Sequence, residues 1–587
     1  MTLSFDLAKK EVASLVQTLL QQEGTAPSVE EVYALLVPPP EFHLGQAALP
    51  CFAFAKALRK APAAIAAALE KGCNEAPHKK FIEKAQAVGG YLNVFFCFPQ
   101  LTPHLLEEIK SSHFFAQDLL AKKEHVVVEY SQPNTHKALH VGHLRCLVLG
   151  DAVSRILAAA GHTVEKATYP GDLGTHVAKT IWYIQSRSLS LPSENKAQWL
   201  GQIYAQADTA FKENPEEAKP HIASIRKQIS EKKGSSYELW KETREWSLED
   251  MAQVYQWLGV TFDHWYFESE CEEPAKHLVQ EKFQEGFFVK DQGAIGIDLS
   301  AYNLGFVMFL KSDGHSLYLT KDLDLIRRKF RNPAVTQSIY VVDARQKLHF
   351  QQLFKTAELM GYPQAARSVH LSYETVNTPA GVPFSSRELN GQGLWGLKDL
   401  MEQKVKENYL ERYQNEWSLE EIQSAATNVT IGALKYGMLR VDNNTSITFI
   451  LDEWLRLDGD TGPYLQYAHA RCQSILVKQG YQKGSCSKAD PTAAQTPLTA
   501  VEEQTLAFHL WRYPEYVVHA AAQLKPAHIA SYLYQLAKLF HRFYEACSIK
   551  NSPDEQTKQL RLDLVFATQQ VLQKGLHLLG IPSIDKM

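Results

Sequence analysis

The sequence lacks the features of a membrane protein or a disulfide-stabilised secreted protein. No apolar run reaches the roughly 18 residues that a membrane helix needs. The first ten residues, MTLSFDLAKK, contain no cationic segment ahead of an apolar run, so we expect no secretory signal. No two of the eight cysteines form a CxxC pair, which argues against a structural zinc site and a disulfide scaffold. A reduced, cytoplasmic protein without bound metal is therefore expected.

A strong net charge is also missing. Lys and Arg number 61 against 65 Asp and Glu, a net charge of −4, which excludes a global basic field but not a local basic groove. The chain does have length and apolar content, with 587 residues of which 45% are hydrophobic. At about 150 residues per domain, this length allows roughly four domains with sizeable cores.

Three units follow one another along the chain. Residues 1–115 have the mixed pattern of a small α/β domain. Residues 120–450 carry the strand signals of a parallel sheet, with a polar helical insertion near 186–258. Residues 455–587 have an almost entirely helical pattern. These patterns predict a multidomain α/β protein with a Rossmann-type sheet domain, a small α/β domain before it and an all-α bundle after it.

One βαβ unit predicts where a ligand binds. A β-branched run, Val126–Tyr130, is followed by a polar loop, Ser131–Leu139, and an apolar helix, Val141–Ala160, that ends at Gly161. The next strand is predicted at Thr163–Thr168. Ligands of parallel sheets bind at the carboxyl ends of the strands, which here is the polar loop.

The loop and the helix start contain groups that suit a polyphosphate. His140 and His143 are three residues apart, so both rings project from one face of the helix. Gly142 lets a flat ligand lie against the backbone, and Lys137 adds a mobile cation beside the positive end of the helix dipole. Two histidines and a glycine at a helix start also arise by chance. A zinc pair would need further ligands, and none is evident nearby.

The motif resembles that of a known family. HVGH is similar to the HIGH motif of class I aminoacyl-tRNA synthetases, and SQPNTHKALHVGHLR resembles specifically the arginyl-tRNA synthetase signature. FAFAKALRKAP and GYLNVFF resemble that family's N-terminal domain, and the final helices resemble its DALR-type anticodon-binding bundle. Three further similar segments follow in order: KSDGHSLYLTKD at Lys311–Asp322, YVVDARQKLHFQQLF at Tyr340–Phe354 and GDTGPYLQYAHARCQSIL at Gly459–Leu476.

This resemblance implies an arginine–tRNA ligase. The carboxylate of L-arginine attacks the α-phosphate of ATP, giving arginyl-adenylate and pyrophosphate. A ribose hydroxyl of the terminal adenosine of tRNA(Arg) then takes the arginyl group. The family generally needs bound tRNA for the first step, and Mg²⁺ is expected with ATP. The resemblance also implies a monomer without membrane attachment. No covalent enzyme intermediate is needed, so catalysis depends on positioning and charge stabilisation.

Five residues are expected to bind arginine by resemblance: Glu129, Asn134, Tyr318, Asp322 and Gln346. A carboxylate suits the guanidinium fork, and Tyr318 and Asp322 face one way if their segment is helical. The amide of Asn134 can meet both the ammonium and the carboxylate of the amino acid. The alternatives are a strand-end charge, a helix-surface acid, a core tyrosine and turn or loop amides.

The expected catalytic residues are Lys137, His140 and His143. By resemblance, the contacts to ATP come from His140, Gly142, His143, His349, Ser385, Ser386 and Arg387. The last three belong to PFSSREL, the segment at 383–389 that corresponds to the class I KMSKS loop but contains no lysine. We therefore expect Lys137 to supply the missing phosphate charge.

Contacts with tRNA are expected in the outer domains. Unpaired bases are commonly held by stacking on aromatic side chains, and the GPYLQYAHAR segment supplies Tyr464, Tyr467, His469 and Arg471. Tyrosines at helical spacing are also common in a core. The N-terminal domain is expected to contact the tRNA elbow, with Asn93 and Phe95 as candidates.

Two other functions fit parts of the sequence. The first is that of a different enzyme with a HIGH motif, such as a small nucleotidyltransferase or another class I synthetase. The former lacks a helical bundle of this size, and the latter does not need carboxylates at Glu129 and Asp322. The second is a catalytically inactive relative that serves as an RNA-binding or regulatory protein. The altered 383–389 segment keeps this alternative open. Intact Asn134, Lys137 and HVGH argue against it.

The role of Lys137 predicts a compensation. Lys137→Ala should abolish most activation, and Lys137→Arg should keep only part, since a planar fork replaces a point charge poorly. Ser386→Lys should partly rescue Lys137→Ala, because both positions would serve one phosphate group. Rates of tRNA-dependent pyrophosphate exchange at saturating ATP, in a two-by-two cycle, test this. Strict additivity without rescue would refute the compensation, and near-normal activity of Lys137→Ala would refute the role of Lys137.

Overall fold

A computed structural model describes residues 3–77, 79–111, 113–115, 119–120, 122–381, 393–481 and 498–587. The segment 383–389, with the predicted ATP contacts Ser385, Ser386 and Arg387, lies outside the described residues.

The N-terminal part is a small α/β unit, as predicted. Its elements are α1 (Ser4–Gln22), α2 (Val29–Leu35), β1 (Ala47–Pro50), α3 (Ala55–Leu58), α4 (Pro62–Glu75), β2 (Ile82–Val88), β3 (Tyr91–Phe96) and α5 (Phe98–Lys110). The three strands form an antiparallel sheet in the order β1–β3–β2. The central strand is the aromatic segment of GYLNVFF, and Asn93 within it is only 5% exposed. That burial argues against Asn93 as a tRNA contact.

The middle part contains a five-stranded sheet. Its first nine elements, in chain order, are β4 (His125–Glu129), α6 (Val141–Ala160), β5 (Thr163–Thr168), α7 (Thr175–Ser186), α8 (Lys196–Glu213), α9 (Pro215–Ser230), α10 (Ser235–Trp257), β6 (His264–Trp265) and α11 (Glu268–Gln284). After these come β7 (Val289–Asp291), β8 (Ala294–Asp298), β9 (Phe306–Leu310), α12 (Tyr318–Lys329), β10 (Gln337–Asp343), α13 (Lys347–Leu359), β11 (Val369–Tyr373), β12 (Val376–Asn377), α14 (Gly393–Val405), α15 (Leu419–Leu439), β13 (Ile447–Thr448) and α16 (Leu451–Trp454).

The order of the large sheet determines where a ligand can bind. The strands run β11–β10–β4–β5–β6, and every neighbouring pair is parallel. The chain moves outward from β4 through β5 and β6, and then returns to the other side of β4 with β10 and β11. Strand order therefore reverses between β4 and β10, and the crevice at the carboxyl ends of these two strands is the expected binding site. A second sheet, β7–β8–β9, is antiparallel, and sequence patterns had not separated it from the first.

Helix α6, which begins at this crevice, is a core element. It is mostly apolar, and 15 of its 20 residues are buried, including the polar side chains of Arg145, Asp151 and Ser154. A Cβ on Gly150 would lie 2.1 Å from Cγ of Tyr130, so only glycine allows this approach of the helix to the residue after β4. The helix ends as predicted at Gly161, whose φ of 118° favours glycine.

The C-terminal part is a helical bundle, as predicted. It consists of α17 (Gly462–Lys478), α18 (Val501–Trp511), α19 (Tyr513–Gln523), α20 (Ala527–Ala546) and α21 (Glu555–Leu578). The bundle packs on the N-terminal unit, where the rings of Phe5 and Trp511 stack at 6.2 Å and Phe98 lies 5.7 Å from Trp511. Lys110 and Asp563 form a buried ion pair of 2.9 Å across the same interface. The two ends of the chain thus share one core, which the sequence did not indicate.

The bundle also packs directly on α6. Helices α19 and α21 both contact it, as does α15. Arg145, 1% exposed, donates to the carbonyl oxygen of Asp442 at 3.3 Å, and Nδ2 of the adjoining Asn443 donates to the carbonyl oxygen of Leu524 at 3.1 Å. A hydrogen-bonded path therefore joins the first turns of α6 to the turn between α19 and α20.

The described residues contain seven cysteines, each a free thiol. Burial raises the pKa of the Cys146 thiol, on α6, to about 12. No group of three or more His, Cys, Asp or Glu within the described ranges is arranged to hold a metal ion. Among the described helices, none has the length and apolar content to cross a membrane.

A buried ion-pair network on α6 predicts a large stability effect. Asp151 accepts from Arg155 at 2.9 Å and lies 3.4 Å from Nζ of Lys435, which has no exposed surface. Asp151→Ala leaves the buried ammonium without its carboxylate, which costs about 3–5 kcal/mol. Guanidinium denaturation should show a markedly lower midpoint. The matched control is Asp458→Ala, which breaks an exposed pair with Arg456 and should change the midpoint little. Equal effects would contradict this assignment.

Candidate active site

The loop between β4 and α6, residues 130–140 and here called the site loop, is held by the neighbouring strand ends. The backbone N–H of Thr135 donates to the carbonyl oxygen of Gly171 at 3.0 Å, and that of Gly171 donates to Pro133 at 3.1 Å. A Cβ on Gly171 would lie 2.4 Å from Oδ1 of Asn134, so the exposed Asn134 side chain lies directly over the Gly171 backbone. The side-chain amide of Asn134 therefore lies beside Gly171, close to the carboxyl end of β5.

The two histidines of the motif lie against each other at the start of α6, with ring centroids 3.9 Å apart. The backbone N–H of His140 donates to Nδ1 of His143, and that of Gly142 donates to Nδ1 of His140, both at 3.1 Å. Because Nδ1 accepts, the proton of each neutral ring belongs on Nε2, which can donate. Burial, and then the charges of His140 and Lys137, hold the pKa of His143 well below its usual value.

This geometry limits which groups at the start of α6 can contact a phosphate. Two amides near the helix start, those of His140 and Gly142, are bonded within the motif and are not directed at a ligand. The side-chain donors in this part of the site are the ring Nε2 groups and the Lys137 ammonium. Lys137 is partly buried, and burial lowers its pKa. The site can therefore present a poorly solvated cation beside neutral donors, which strengthens its interaction with a phosphate.

Glu129 occupies the carboxyl end of β4, where the sequence predicted it. Its side chain is 3% exposed and is paired with Nζ of Lys329, the last residue of α12. Lys329 has no exposed side-chain surface and lies 3.6 Å from the ring centroid of Tyr340 on β10. The charge of Glu129 is thus already compensated within the chain. Its second oxygen accepts from the amide of Gln132 at 3.1 Å.

Tyr318 and Asp322 lie on one helix, α12, as their spacing required. Asp322 is bonded to Nε2 of His349, at 2.6 Å, on the helix that follows β10. This contact brings together a residue expected to bind arginine and one expected to bind ATP. Tyr318 begins the helix and is 69% exposed, while Gln346 lies exposed in the turn before α13.

Sequence reasoning missed Glu268, the first residue of α11. Its carboxylate is 2.6 Å from Nζ of Lys321 on α12, and a Cβ on Gly171 would lie 3.7 Å from its Oε1. Burial raises the pKa of Glu268 to about 7, and Lys321 opposes that shift. A buried acid beside Asn134 and Asp322 belongs to the same site. No local pattern indicates it, because an acid at a helix start is common.

The predicted tRNA contacts lie in the bundle, away from the crevice. Tyr464, Tyr467 and Arg471 are partly exposed on one face of α17, where Arg471 donates to the hydroxyl of Tyr467 at 3.1 Å. His541 of α20 lies 5.5 Å from the Tyr464 ring. In contrast, His469 is buried and bonded to the carbonyl oxygen of Ile584 at 2.8 Å, so it is a core residue.

Comparison with known proteins agrees with this arrangement. Three family models match: "Arginyl tRNA synthetase N terminal domain" over residues 7–96, "tRNA synthetases class I (R), catalytic domain" over 106–451, and "DALR anticodon binding domain" over 465–587. The sheet, the paired histidines and these matches define a class I aminoacyl-tRNA synthetase.

Individual relatives make the assignment narrower. An arginine–tRNA ligase of Bdellovibrio bacteriovorus is 42% identical over 95% of each chain, and one of Treponema denticola is 33% identical over 94% of each. The structure of Thermus thermophilus arginyl-tRNA synthetase matches with a TM-score of 0.79 and 27% identity, covering 99% of this chain and 100% of that one. The chain belongs to the arginyl-tRNA synthetase family and is an arginine–tRNA ligase.

The donors on the HVGH motif predict a kinetic effect. His140→Ala and His143→Ala should each lower kcat for adenylate formation more than they raise KM for arginine. These groups act on charge that develops in the transition state, and losing one such donor typically costs roughly 3 kcal/mol. Steady-state pyrophosphate exchange measures both constants. An unchanged kcat in both variants would reject the assignment.

Proposed function

We propose that arginine is activated in the crevice between β4 and β10, with the amino acid on the side of Asp322 and ATP at the start of α6. The observation that carries this proposal is the position of the paired histidines at the point where strand order reverses. Glu129, Asn134, Asp322 and His349 all belong to elements that end or begin at this crevice.

The charges of the crevice support Asp322 as the main partner of the guanidinium. Among Glu129, Glu268 and Asp322, Glu129 is paired with Lys329 and Glu268 with Lys321. Within the described residues, Asp322 has an ion-pair contact with His349 and none with a lysine. It therefore has the least compensated negative charge, which a permanently charged guanidinium suits best. Tyr318, one turn earlier on α12, adds an aromatic face.

The adenylation step needs little more than position and charge. With the guanidinium at Asp322, the amide of Asn134 can hold the amino and carboxylate groups so that a carboxylate oxygen meets the α-phosphorus. Lys137 and the Nε2 donors of His140 and His143 would then stabilise the charge that accumulates on the phosphates. Mg²⁺ enters with ATP as part of the substrate. His349, Gly142 and the 383–389 segment with Ser385, Ser386 and Arg387 are further proposed ATP contacts.

The outer domains are proposed to hold the tRNA. The face of α17 with Tyr464, Tyr467 and Arg471 offers aromatic rings and a cation to unpaired anticodon bases. Because the bundle packs on α6, a tRNA bound there can influence the helix that begins at the activation site. This packing supports activation that depends on bound tRNA(Arg). We also propose a monomer that works in the cytoplasm, where tRNA and ATP are available.

The amino-acid pocket can be tested by a neutral substitution. Asp322→Asn should weaken arginine binding by about 10- to 150-fold and leave ATP binding nearly unchanged, because charge-assisted bonds are worth roughly 1.5–3 kcal/mol each. Equilibrium binding measures both affinities, and charging assays with arginine, lysine and canavanine test selectivity.

The matched control for this test is Asp458→Asn, which changes an exposed carboxylate that is paired with Arg456 at 2.7 Å outside the crevice. That variant should leave both affinities unchanged. An equal loss of arginine and ATP binding in Asp322→Asn would mean that Asp322 is structural. Absence of arginine-dependent charging by the unmodified enzyme would reject the proposed function.

A further inference from the structure

We infer that His136 is a positioning residue for activation, and that it connects the site loop to helix α10 of the helical insertion. The inference rests on the proposed role of the adjacent Lys137 as the phosphate cation. His136 lies between Asn134 and Lys137, two residues proposed to contact substrate, but it is itself 1% exposed and faces away from solvent.

The backbone at His136 has a conformation that needs support. Its φ is 68°, in the left-handed region that non-glycine residues seldom adopt. The backbone N–H of His136 donates to Oγ of Ser247 on α10 at 2.9 Å, so the insertion contributes directly to holding this turn. This φ value sets the direction in which the backbone continues from His136 to Lys137.

The side chain of His136 makes a second connection to the same helix. Its Nε2 is 2.9 Å from Oγ1 of Thr243, whose own proton is donated to the carbonyl oxygen of Leu239 at 2.8 Å. Oγ1 of Thr243 is therefore free to accept from Nε2–H, and Nδ1 of the ring lies 3.0 Å from the hydroxyl of Thr135, which also bonds to the carbonyl oxygen of Gly171 at 3.3 Å. Both ring nitrogens thus lie within hydrogen-bond distance of a threonine hydroxyl. Burial lowers the pKa of His136 to about 3, which agrees with a neutral ring.

A second helix of the insertion supports the other side of Lys137. A Cβ on Gly201, in α8, would lie 2.8 Å from Cβ of Ala138. The residues immediately before and after Lys137 thus both contact the insertion. Lys137 is held between two packed neighbours, and a shift of α10 or α8 would move its ammonium. We conclude that the insertion sets the position of the phosphate cation.

The test compares variants that remove the ring or its partner. His136→Ala should lower kcat of tRNA-dependent pyrophosphate exchange about 10-fold or more, since small misplacements of catalytic groups cost up to about 100-fold. KM for arginine should stay within about twofold. His136→Gln, whose amide can donate to Thr243, should restore a substantial part of kcat. Thr243→Val removes the acceptor of Nε2–H, together with the bond from the hydroxyl to its own helix turn, and should lower kcat in the same direction.

The double variant and a matched control complete the design. Thr243→Val should add little in the His136→Ala background, because both changes break one contact. Thr209→Val makes the same chemical change on α8, where the hydroxyl bonds only within its own exposed helix turn, and should keep full activity. Thermal unfolding identifies any variant that loses its fold.

The inference fails if Thr243→Val, which is nearly isosteric, keeps the kcat of the unmodified enzyme. It also fails if His136→Ala raises KM for arginine as much as it lowers kcat, or if glutamine gives no rescue. These results in an enzyme that still charges arginine would leave the proposed function intact. An unmodified enzyme without arginine-dependent exchange would overturn both.

Discussion

The burial of α6 is the constraint on which the rest of the structure depends. The helix is packed by the parallel sheet on one side and by α15, α19 and α21 on the others, so it can be apolar almost throughout. A helix held in this way cannot tilt without disturbing the core of all three parts of the chain. Its first turn, with His140 and His143, therefore has a defined position at the carboxyl end of β4. The proposed activation site is therefore built on a helix that is itself part of the core.

Charge compensation is the second principle of the site. Three carboxylates of the proposed amino-acid pocket each have a cationic or titratable partner from the chain: Lys329 for Glu129, Lys321 for Glu268 and His349 for Asp322. Unpaired buried carboxylates would be costly and would take up protons. The two lysines and Asp322 all come from α12, so one helix both compensates the pocket and supplies the carboxylate that we assign to the guanidinium.

The sequence predicted the parts that depend on local pattern. The bounds of α6 and β5 and the glycine at the end of α6 are confirmed, and the segment with Tyr318 and Asp322 is helical, which was the condition for the two residues to face one way. Three features could not be predicted, because each joins residues distant in sequence. Glu268 contacts Lys321, which is 53 positions away, and Lys329 contacts Glu129 across 200 positions. His136 looked like an ordinary loop residue, since its partners Thr243 and Ser247 lie in the insertion. The roles of the individual site residues remain predictions.

The central claim is that arginine and ATP occupy adjoining parts of one crevice beside the start of α6. Calorimetric titration with 5′-O-[N-(L-arginyl)sulfamoyl]adenosine, a stable analogue of arginyl-adenylate, tests this most directly. One analogue molecule should bind per chain when tRNA(Arg) is present, and the bound analogue should prevent binding of both free arginine and ATP. An analogue-saturated enzyme that still bound either substrate with unchanged affinity would contradict the account.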